Sequence, residues 1–291
     1  MPLPNLADLR KITLRTAAVL LAAGATLSAA PAPSAADLPD VQPAKGKLLV
    51  SIDFESTPVG QIPPGFTKTG SVAVVDDVAH SGKRSLRMDA AANGPRRITV
   101  KDEALMKALG PSHWGRLYFK VQLPTPVPAG EGKFPVIHST LVSGTAQSPS
   151  EKDGIEVRVL DTVMGPKGTF QWIYNVQPRS KRPEFGKGGG YKNTYTDQWT
   201  LAEWYVDHKT QTYRLFINGQ EMKDVSFSKG EGNFEKAEIP AVFESLSFGW
   251  NNYQKAEKGF VAWIDDVALA KERIGDQGAA AAAEPPAKRR R

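Results

Sequence analysis

The sequence predicts an all-β fold, an antiparallel two-sheet β-sandwich with a concave groove on one sheet face. In three segments, aromatic and β-branched residues interleave with polar ones, as is typical of half-buried strands: 204–207, 213–217 and 261–269. Directly after the second segment comes Asn218-Gly219, the pair that a two-residue type I′ hairpin turn favours because both positions need a positive φ. Antiparallel sandwiches can leave one sheet face in contact with solvent, so an extended ligand can lie there.

The N-terminal residues indicate export. Arg10, Lys11 and Arg15 precede an apolar stretch, and small residues at 34–36 resemble a signal-peptidase site. The alternative is a retained N-terminal anchor, although the apolar stretch is short for a span of about 20 residues. We therefore expect a secreted or periplasmic protein without a membrane span after signal cleavage. The expected organisation is a signal peptide (1–36), a linker (37–45), a β-jelly-roll domain (46–275) and a disordered Ala/Pro-rich basic tail (276–291).

The charge and the cysteine count exclude several classes of protein. The net charge is +6, but the ends carry most of it. Three Lys/Arg and one Asp lie in 1–36, and four Lys/Arg and two acids lie in 276–291, so 30 basic and 28 acidic residues remain. A nucleic-acid-binding domain should carry a clear basic excess, so we expect no nucleic-acid partner. The tail could bind an acidic polymer or could simply be solvated. With no cysteine, the chain has no disulfide and no thiolate site. We also expect a monomer.

Four further strands are predicted by alternation, with one short helix. Leu117, Phe119 and Val121 should face the core, as should Ile155, Val157 and Val159, and Ile137 and Leu141. The segment 170–176 is ambiguous, but a core position for Trp172 would turn Gln171 and Asn175 outward. Residues 102–109, with an acidic start and Gly110 after the last turn, predict the helix.

If these strands share one sheet, their outward residues form one polar face. That face would hold cationic, phenolic, imidazole and amide groups: Arg116, Tyr118, His138, Arg158, Gln171 and Asn175. Arginine binds oxyanions through two hydrogen bonds, so the face suits a carboxylate or a sulfate. A Gly-rich basic loop at 179–192 could fold over it and stack Tyr191 on a sugar ring, or it could be a plain solvated loop.

This combination fits β-elimination from a uronate-containing polysaccharide. Arg158, with Gln171 or Asn175, would neutralise the carboxylate and stabilise the enolate-like intermediate. His138 or Tyr118 would take the proton, and a phenol would return one to the leaving oxygen. A hydrolase needs two carboxylates about 5 to 9 Å apart. Only Glu156 and Glu203 qualify as candidates, so hydrolysis is the weaker hypothesis.

Acidic residues near both ends of the domain predict a structural calcium ion. Glu55 lies near the first strand, a Ser-Gly turn follows at 81–82, and Asp265 and Asp266 lie in the last strand. Calcium binds carboxylate and carbonyl oxygens, so Glu55, Asp265 and Asp266 are the predicted ligands. The alternative is that these acids cap turns and form ion pairs. No organic cofactor is expected.

Several motifs resemble a known family. They are Phe54-Glu55, His80-Ser-Gly-Lys-Arg-Ser-Leu86, Trp199-x₃-Glu-Trp-Tyr-Val-Asp207, Phe216-Ile-Asn-Gly219, Phe248-Gly-Trp-x₂-Tyr-Gln254 and the segment 263–275. Together they resemble the secreted cellulose-induced protein family of fungi, whose jelly roll, of the concanavalin A-like type, is shared with glucuronan lyases. The resemblance covers about residues 47–275 and implies a groove, a structural calcium and a plant or microbial cell-wall glycan or other acidic polysaccharide as partner. The cysteines of the fungal members, near Ala202 and after Gly275, are missing here.

Two functions therefore remain. The first is an exported polysaccharide lyase with catalytic His138, Arg158, Gln171 and Tyr118, and with Arg116 and Asn175 binding substrate. The second is a non-catalytic carbohydrate-binding or cell-surface protein of the same fold that uses Tyr191, Trp250 and Tyr253 as stacking platforms.

Overall fold

The protein structure, a computed structural model, describes residues 48–130, 134–148, 151–180, 185–228 and 239–275. The predicted signal peptide, linker and basic tail lie outside the described residues. Within the described ranges, no helix is long and apolar enough to cross a membrane.

The described residues form strands and one short helix. The strands are β1 (Leu48–Ile52), β2 (Phe66–Thr69), β3 (Val72–Val75), β4 (Ser85–Ala91), β5 (Gly94–Val100), β6 (Ser112–Val121), β7 (Ile137–Ser148), β8 (Glu151–Met164), β9 (Phe170–Pro178), β10 (Phe185–Gly188), β11 (Thr200–Asp207), β12 (Thr212–Ile217), β13 (Gln220–Glu221), β14 (Ser245–Asn252) and β15 (Phe260–Ala270). Helix α1 (Glu103–Leu109) connects β5 to β6, and the Asp102 side chain caps it by accepting a hydrogen bond from Leu105 N at 2.7 Å. The helix prediction is confirmed.

Two antiparallel sheets form a sandwich of the jelly-roll type, which confirms the predicted fold class. The eight-stranded sheet has the order β13-β12-β11-β6-β15-β4-β3, with β1 pairing with β15. The seven-stranded sheet has the order β10-β9-β8-β7-β14-β5-β2. The first and last strands therefore pair.

The core lies between the sheets and is built by the predicted alternation. Leu117, Phe119 and Val121 of β6, Ile137 and Leu141 of β7, Ile155, Val157 and Val159 of β8, and Trp172 of β9 are all buried in one hydrophobic cluster. Because side chains alternate across a strand, the intervening residues of β7, β8 and β9 lie on the outer face of the seven-stranded sheet.

The Asn218-Gly219 hairpin is also confirmed. Both residues have positive φ, 48° and 79°, and the turn joins β12 to β13. Asn218 tolerates this conformation, and its side-chain oxygen accepts a hydrogen bond from Leu201 N at 3.0 Å.

Candidate functional site

A group of polar side chains lies on the outer face of the seven-stranded sheet; we name it the polar face. Its members come from β5, β7, β8 and β9 and from the segment after β14: Arg97, His138, Thr140, Ser143, Glu156, Arg158, Asp161, Asn175, Gln177 and Tyr253. Strand pairing sets their positions. Ser143 lies opposite Arg158, which lies opposite Asn175, and Thr140 lies opposite Asp161. Directly opposed residues point to the same side of a sheet, so these side chains meet.

At one end of the polar face, a histidine and an aspartate form a close pair. His138 Nε2 lies 2.5 Å from Asp161 Oδ2, and Thr140 donates a hydrogen bond to Asp161 Oδ1 at 2.7 Å. Burial raises the pKa of Asp161, while His138, Arg158 and Thr140 act against that rise. Besides its contact with Asp161 through Nε2, His138 faces Arg158 Nη1, which lies 3.3 Å from Nδ1 and 3.5 Å from Nε2.

Arg158 lies at the centre of the polar face. Its Nη1 donates to Asn175 Oδ1 at 2.9 Å and lies 3.3 Å from His138 Nδ1, and its Nη2 lies 3.3 Å from Gln177 Oε1. The guanidinium carbon lies 3.9 Å from the centre of the Tyr253 ring, a cation–π contact. Only 3% of the residue is exposed. A guanidinium binds oxyanions through paired hydrogen bonds, so this point of the face suits an anion.

An acidic residue balances the arginines. Glu156 Oε1 accepts hydrogen bonds from Arg97 at 3.0 Å and from Ser143 at 2.9 Å. Burial raises the pKa of Glu156, but Arg97, Ser143 and Arg158 together outweigh burial and leave the pKa below its usual value. The carboxylate is therefore ionised at neutral pH, and it neutralises one of the two arginines.

Tyr253 connects the two halves of the polar face. Its hydroxyl donates to Glu156 Oε2 at 3.3 Å and lies 3.3 Å from Thr140 Oγ1, and its ring lies 5.2 Å from that of His138. Burial and the charge of Glu156 raise the pKa of Tyr253, so the phenol stays protonated. A protonated phenol beside an imidazole and a guanidinium can act as a proton donor.

The structure separates the predicted site residues between two sheets. His138, Arg158, Asn175 and Tyr253 meet on the polar face. Arg116 and Tyr118 do not, since β6 belongs to the eight-stranded sheet. Tyr118 stacks on His80 at 3.5 Å, and Arg116 donates to Gly275 O at 2.8 Å. The expectation that all these strands share one sheet is therefore wrong, because alternation in one strand does not reveal its neighbours.

Trp250 is also misplaced by the sequence prediction. It is 1% exposed and packs between Tyr195 and Phe260 in the core, so it is no stacking platform. The pairing of β14 with β7 shifts register between Phe248 and Asn251, at Gly249 with φ 140°. The alternation of β14 nevertheless continues, because Leu246, Phe248 and Trp250, each two residues apart, are all buried in the core cluster.

Gln171 and Tyr191 lie on the same sheet, beside the polar face. His138 of β7 and Gln171 of β9 both lie opposite Val163 of β8, so one strand separates them. Gln171 Oε1 accepts from Gly190 N at 3.2 Å, and its side chain hydrogen-bonds to Tyr191. Burial raises the pKa of Tyr191, although this hydrogen bond acts against the rise. The part of the Gly-rich loop that the structure describes therefore contacts the sheet through Gln171.

The predicted calcium ligands surround one loop, residues 80–84. Glu55 Oε1 accepts from the backbone N–H groups of residues 83 and 84, each at 2.8 Å. Asp265 accepts from the backbone of residues 80 and 81, and Asp266 binds the side chains of His80 at 2.6 Å and of Ser81 at 2.8 Å. Burial and the charge of Asp266 raise the pKa of Asp265 to about 8. Glu55 thus binds one end of this loop, and Asp265 and Asp266 bind the other end.

The carboxylates around this loop face N–H and O–H donors. Among the described residues, no three His, Asp or Glu side chains are grouped so as to hold a metal ion. A raised pKa at Asp265 nevertheless marks a place where a nearby cation would stabilise the charged form. Calcium binding therefore stays a prediction.

The sequence analysis did not predict two features of the site, Asp161 and the register shift that precedes it. Asp161 is not among the predicted site residues, although an acid among Val159, Leu160 and Val163 is a detectable signal, because burying a carboxylate is costly unless it is paired. The pairing of β8 with β9 shifts register between Arg158 and Asp161, which brings both residues to the polar face.

The proposed hydrolase pair is not formed. Glu203 lies in the eight-stranded sheet, where it binds Arg273, and Glu156 lies in the other sheet.

A comparison with models of protein families gives no match, and a comparison with curated proteins gives none either. The comparison with solved structures does give matches. Cellulose induced protein Cip1 is 16% identical over 77% of this chain and 98% of its own, with a TM-score of 0.49. The botulinum neurotoxin serotype D binding domain is 14% identical over 79% of this chain, with a TM-score of 0.44. The binding domain of botulinum neurotoxin DC, solved in complex with SialylT, is 10% identical over 74% of this chain, with a TM-score of 0.43. This chain spans about half the length of these toxin domains.

All three TM-scores are below 0.5, so we draw no conclusion about this chain from these neighbours. Cip1 carries the name of the family that the sequence motifs resemble, but an identity of 16% does not show membership. We therefore take the function from the polar face alone.

Proposed function

We propose that the protein is a polysaccharide lyase that cleaves a uronate-containing glycan by β-elimination on the polar face. One observation carries the proposal: His138 Nδ1 and Arg158 Nη1 lie 3.3 Å apart, so a base and a cation reach the same point. In a uronate, the acidic carbon is bonded directly to the carboxylate. A base and an anion-binding group side by side match that geometry.

The reaction can be assigned to the residues of the polar face. His138 Nδ1 takes the proton from the carbon beside the carboxylate, while Arg158 and Asn175 stabilise the negative charge that moves onto the carboxylate oxygens. The electron pair then forms a carbon–carbon double bond and the bond to the glycosidic oxygen breaks. Tyr253 gives its proton to that oxygen. The products are an unsaturated uronate and a free sugar hydroxyl, and no oxidant or metal is consumed.

Asp161 supports this chemistry as a positioning residue. It holds Nε2 of His138, so Nδ1 is presented to the substrate, and it stabilises the imidazolium that forms. In the sequence-based hypothesis, Tyr118 provided the phenol. We assign that role to Tyr253, since it contacts Arg158 and Tyr118 lies on the other sheet.

The class of substrate follows from the charges. Of the two guanidinium groups on the face, Arg97 pairs with Glu156 at 3.0 Å, and the second carboxylate, Asp161, is held by His138 and Thr140. Arg158 is therefore the cation that an acidic glycan would meet. Export by a signal peptide and a structural calcium at Glu55, Asp265 and Asp266 belong to the same proposal, because an extracellular glycan is reached only outside the cytoplasm.

The test is the ultraviolet absorbance of the unsaturated uronate, followed while the purified protein acts on glucuronan, alginate, pectate and glucuronoxylan. We expect a rise with one of these polymers. We also expect a fall of about 10²- to 10⁴-fold in turnover for His138→Ala, which removes the general base. Unchanged turnover in His138→Ala would contradict the proposal.

The second candidate is a carbohydrate-binding protein without catalysis, and burial favours it. The His138 side chain is 10% exposed and Arg158 is 3% exposed, so both groups contact a substrate only through a small opening. Retention on an acidic polymer in affinity electrophoresis, with no unsaturated product from any polymer, would identify a binding protein.

A further inference from the structure

Beside the polar face, two aromatic rings lie together; we name them the aromatic platform. Phe134 precedes β7 and Tyr191 follows β10, and the rings meet edge to face with centroids 5.2 Å apart. Phe134 is 56% exposed and is the only aromatic among the strongly exposed large hydrophobic residues that the structure describes. A stably packed aromatic side chain is ordinarily more buried than this, so the exposed ring offers contact area to a ligand.

The platform lies on the same side of the sheet as the polar face. A Cβ atom placed on Gly165 would lie 3.1 Å from the Tyr191 ring and 3.4 Å from Phe134. In the alternation of β8, Asp161 and Val163 point outward and Met164 points into the core, so the bare side of Gly165 faces outward. Both rings therefore cover Gly165 on the outer face.

The distance from the proposed catalytic base is short. Val163 lies opposite His138, and Gly165 follows two residues later, about 7 Å further along the strand direction. Gln171 lies between, since it pairs with Val163 and hydrogen-bonds to Tyr191. The arrangement is a line from Arg158 through His138 and Gln171 to the platform, which suits a ligand longer than one sugar.

We propose that Phe134 and Tyr191 form a separate sugar-binding subsite that stacks a pyranose ring of the same acidic glycan, next to the residue cleaved at His138. This inference rests on the proposed function and extends it. It predicts that the protein prefers chains over short oligomers, because only a chain reaches both Arg158 and the platform. Gln171 supplies the polar contact at the edge of the subsite and acts in substrate binding.

The test compares binding of a glucuronic-acid dimer and hexamer by titration calorimetry to full-length variants that carry His138→Ala, which prevents turnover. Phe134→Ala should weaken hexamer binding about three- to tenfold, the range that an aromatic contact provides, and leave dimer binding unchanged. Phe134→Trp should restore hexamer binding. Val242→Ala, which shortens another exposed apolar side chain, is the matched control and should change neither.

The outcomes separate the subsite from the proposed function. Unchanged hexamer binding in Phe134→Ala, together with loss of binding in Arg158→Met, would overturn the subsite and leave the function standing. Equal weakening of dimer and hexamer would also overturn it, since Phe134 would then act at the central site. If the His138→Ala protein binds neither oligomer and the wild-type protein binds and cleaves no uronate polymer, both the function and the subsite fail.

Discussion

A buried histidine pair should make the fold sensitive to acid. His113 of β6 is fully buried, with its ring 5.6 Å from that of His208 and 6.0 Å from that of Phe243. Burial first, and then the nearby His208 and Lys271, lower the pKa of His113 from 6.5 to about 3. The pKa of His208 is lowered as well, also chiefly by burial.

The sign and size of the effect follow from proton linkage. Below pH 6.5, His113 binds a proton in the unfolded chain but not in the folded protein. The free energy of unfolding therefore falls as the pH decreases towards about 3. At about pH 4.5, two pH units below the unfolded value and above the folded one, the loss is about 3 kcal/mol for this residue alone.

The perturbation is His113→Phe, which keeps an aromatic ring and removes the titration. Urea unfolding, followed by the fluorescence of the buried Trp172, Trp204 and Trp250, measures the free energy of unfolding at about pH 8 and at about pH 4.5. The change between the two pH values should be about 3 kcal/mol more favourable in the variant than in the wild type. The difference between the two proteins therefore reports the titration of His113 together with its interaction with His208. Parallel pH curves for the two proteins would refute the reasoning.

Two further predictions concern stability. Gly115→Ala places a Cβ 2.0 Å from the buried Trp204 ring, so the free energy of unfolding should fall by about 1–3 kcal/mol. A melting temperature equal to that of the wild type would contradict the close packing of Gly115 against Trp204. For Asp265, the raised pKa means that stability is lost as pH rises from 3.8 towards about 8, since the folded protein holds the proton more tightly. Asp265→Asn should therefore stabilise the calcium-free protein in alkaline buffer. Calcium should raise the melting temperature of the wild type but not of the variant, and no calcium effect on the wild type would disprove the predicted ion site.

Much of the fold could be predicted from the sequence, since local patterns determine it. The type I′ turn at Asn218-Gly219 follows from the two positive φ values that this pair tolerates. The core positions of β6, β7, β8 and β9 follow from alternation. The inward position of Trp250 also follows from alternation, since it continues the buried set of Leu246 and Phe248, and the stacking prediction did not apply that rule to β14.

The candidate site was predicted only in part, because sheet membership is a long-range property. His138, Arg158 and Asn175 were correctly placed on one face, since β7, β8 and β9 follow one another in the chain and pair as neighbours. Strand β6 alternates equally clearly, but it pairs with β11 and β15, so Tyr118 lies on the other sheet. The partners of β6 depend on chain segments more than 80 residues away.

The most direct test of the proposed function compares two tyrosines. Tyr253→Phe and Tyr118→Phe each remove one hydroxyl, the first on the polar face and the second on the eight-stranded sheet. With the uronate polymer that the wild type cleaves, the release of unsaturated product should fall by about 10²-fold or more in Tyr253→Phe, which removes the proton donor. It should stay close to the wild-type rate in Tyr118→Phe. Equal rates in the two variants, or a loss confined to Tyr118→Phe, would contradict catalysis on the polar face.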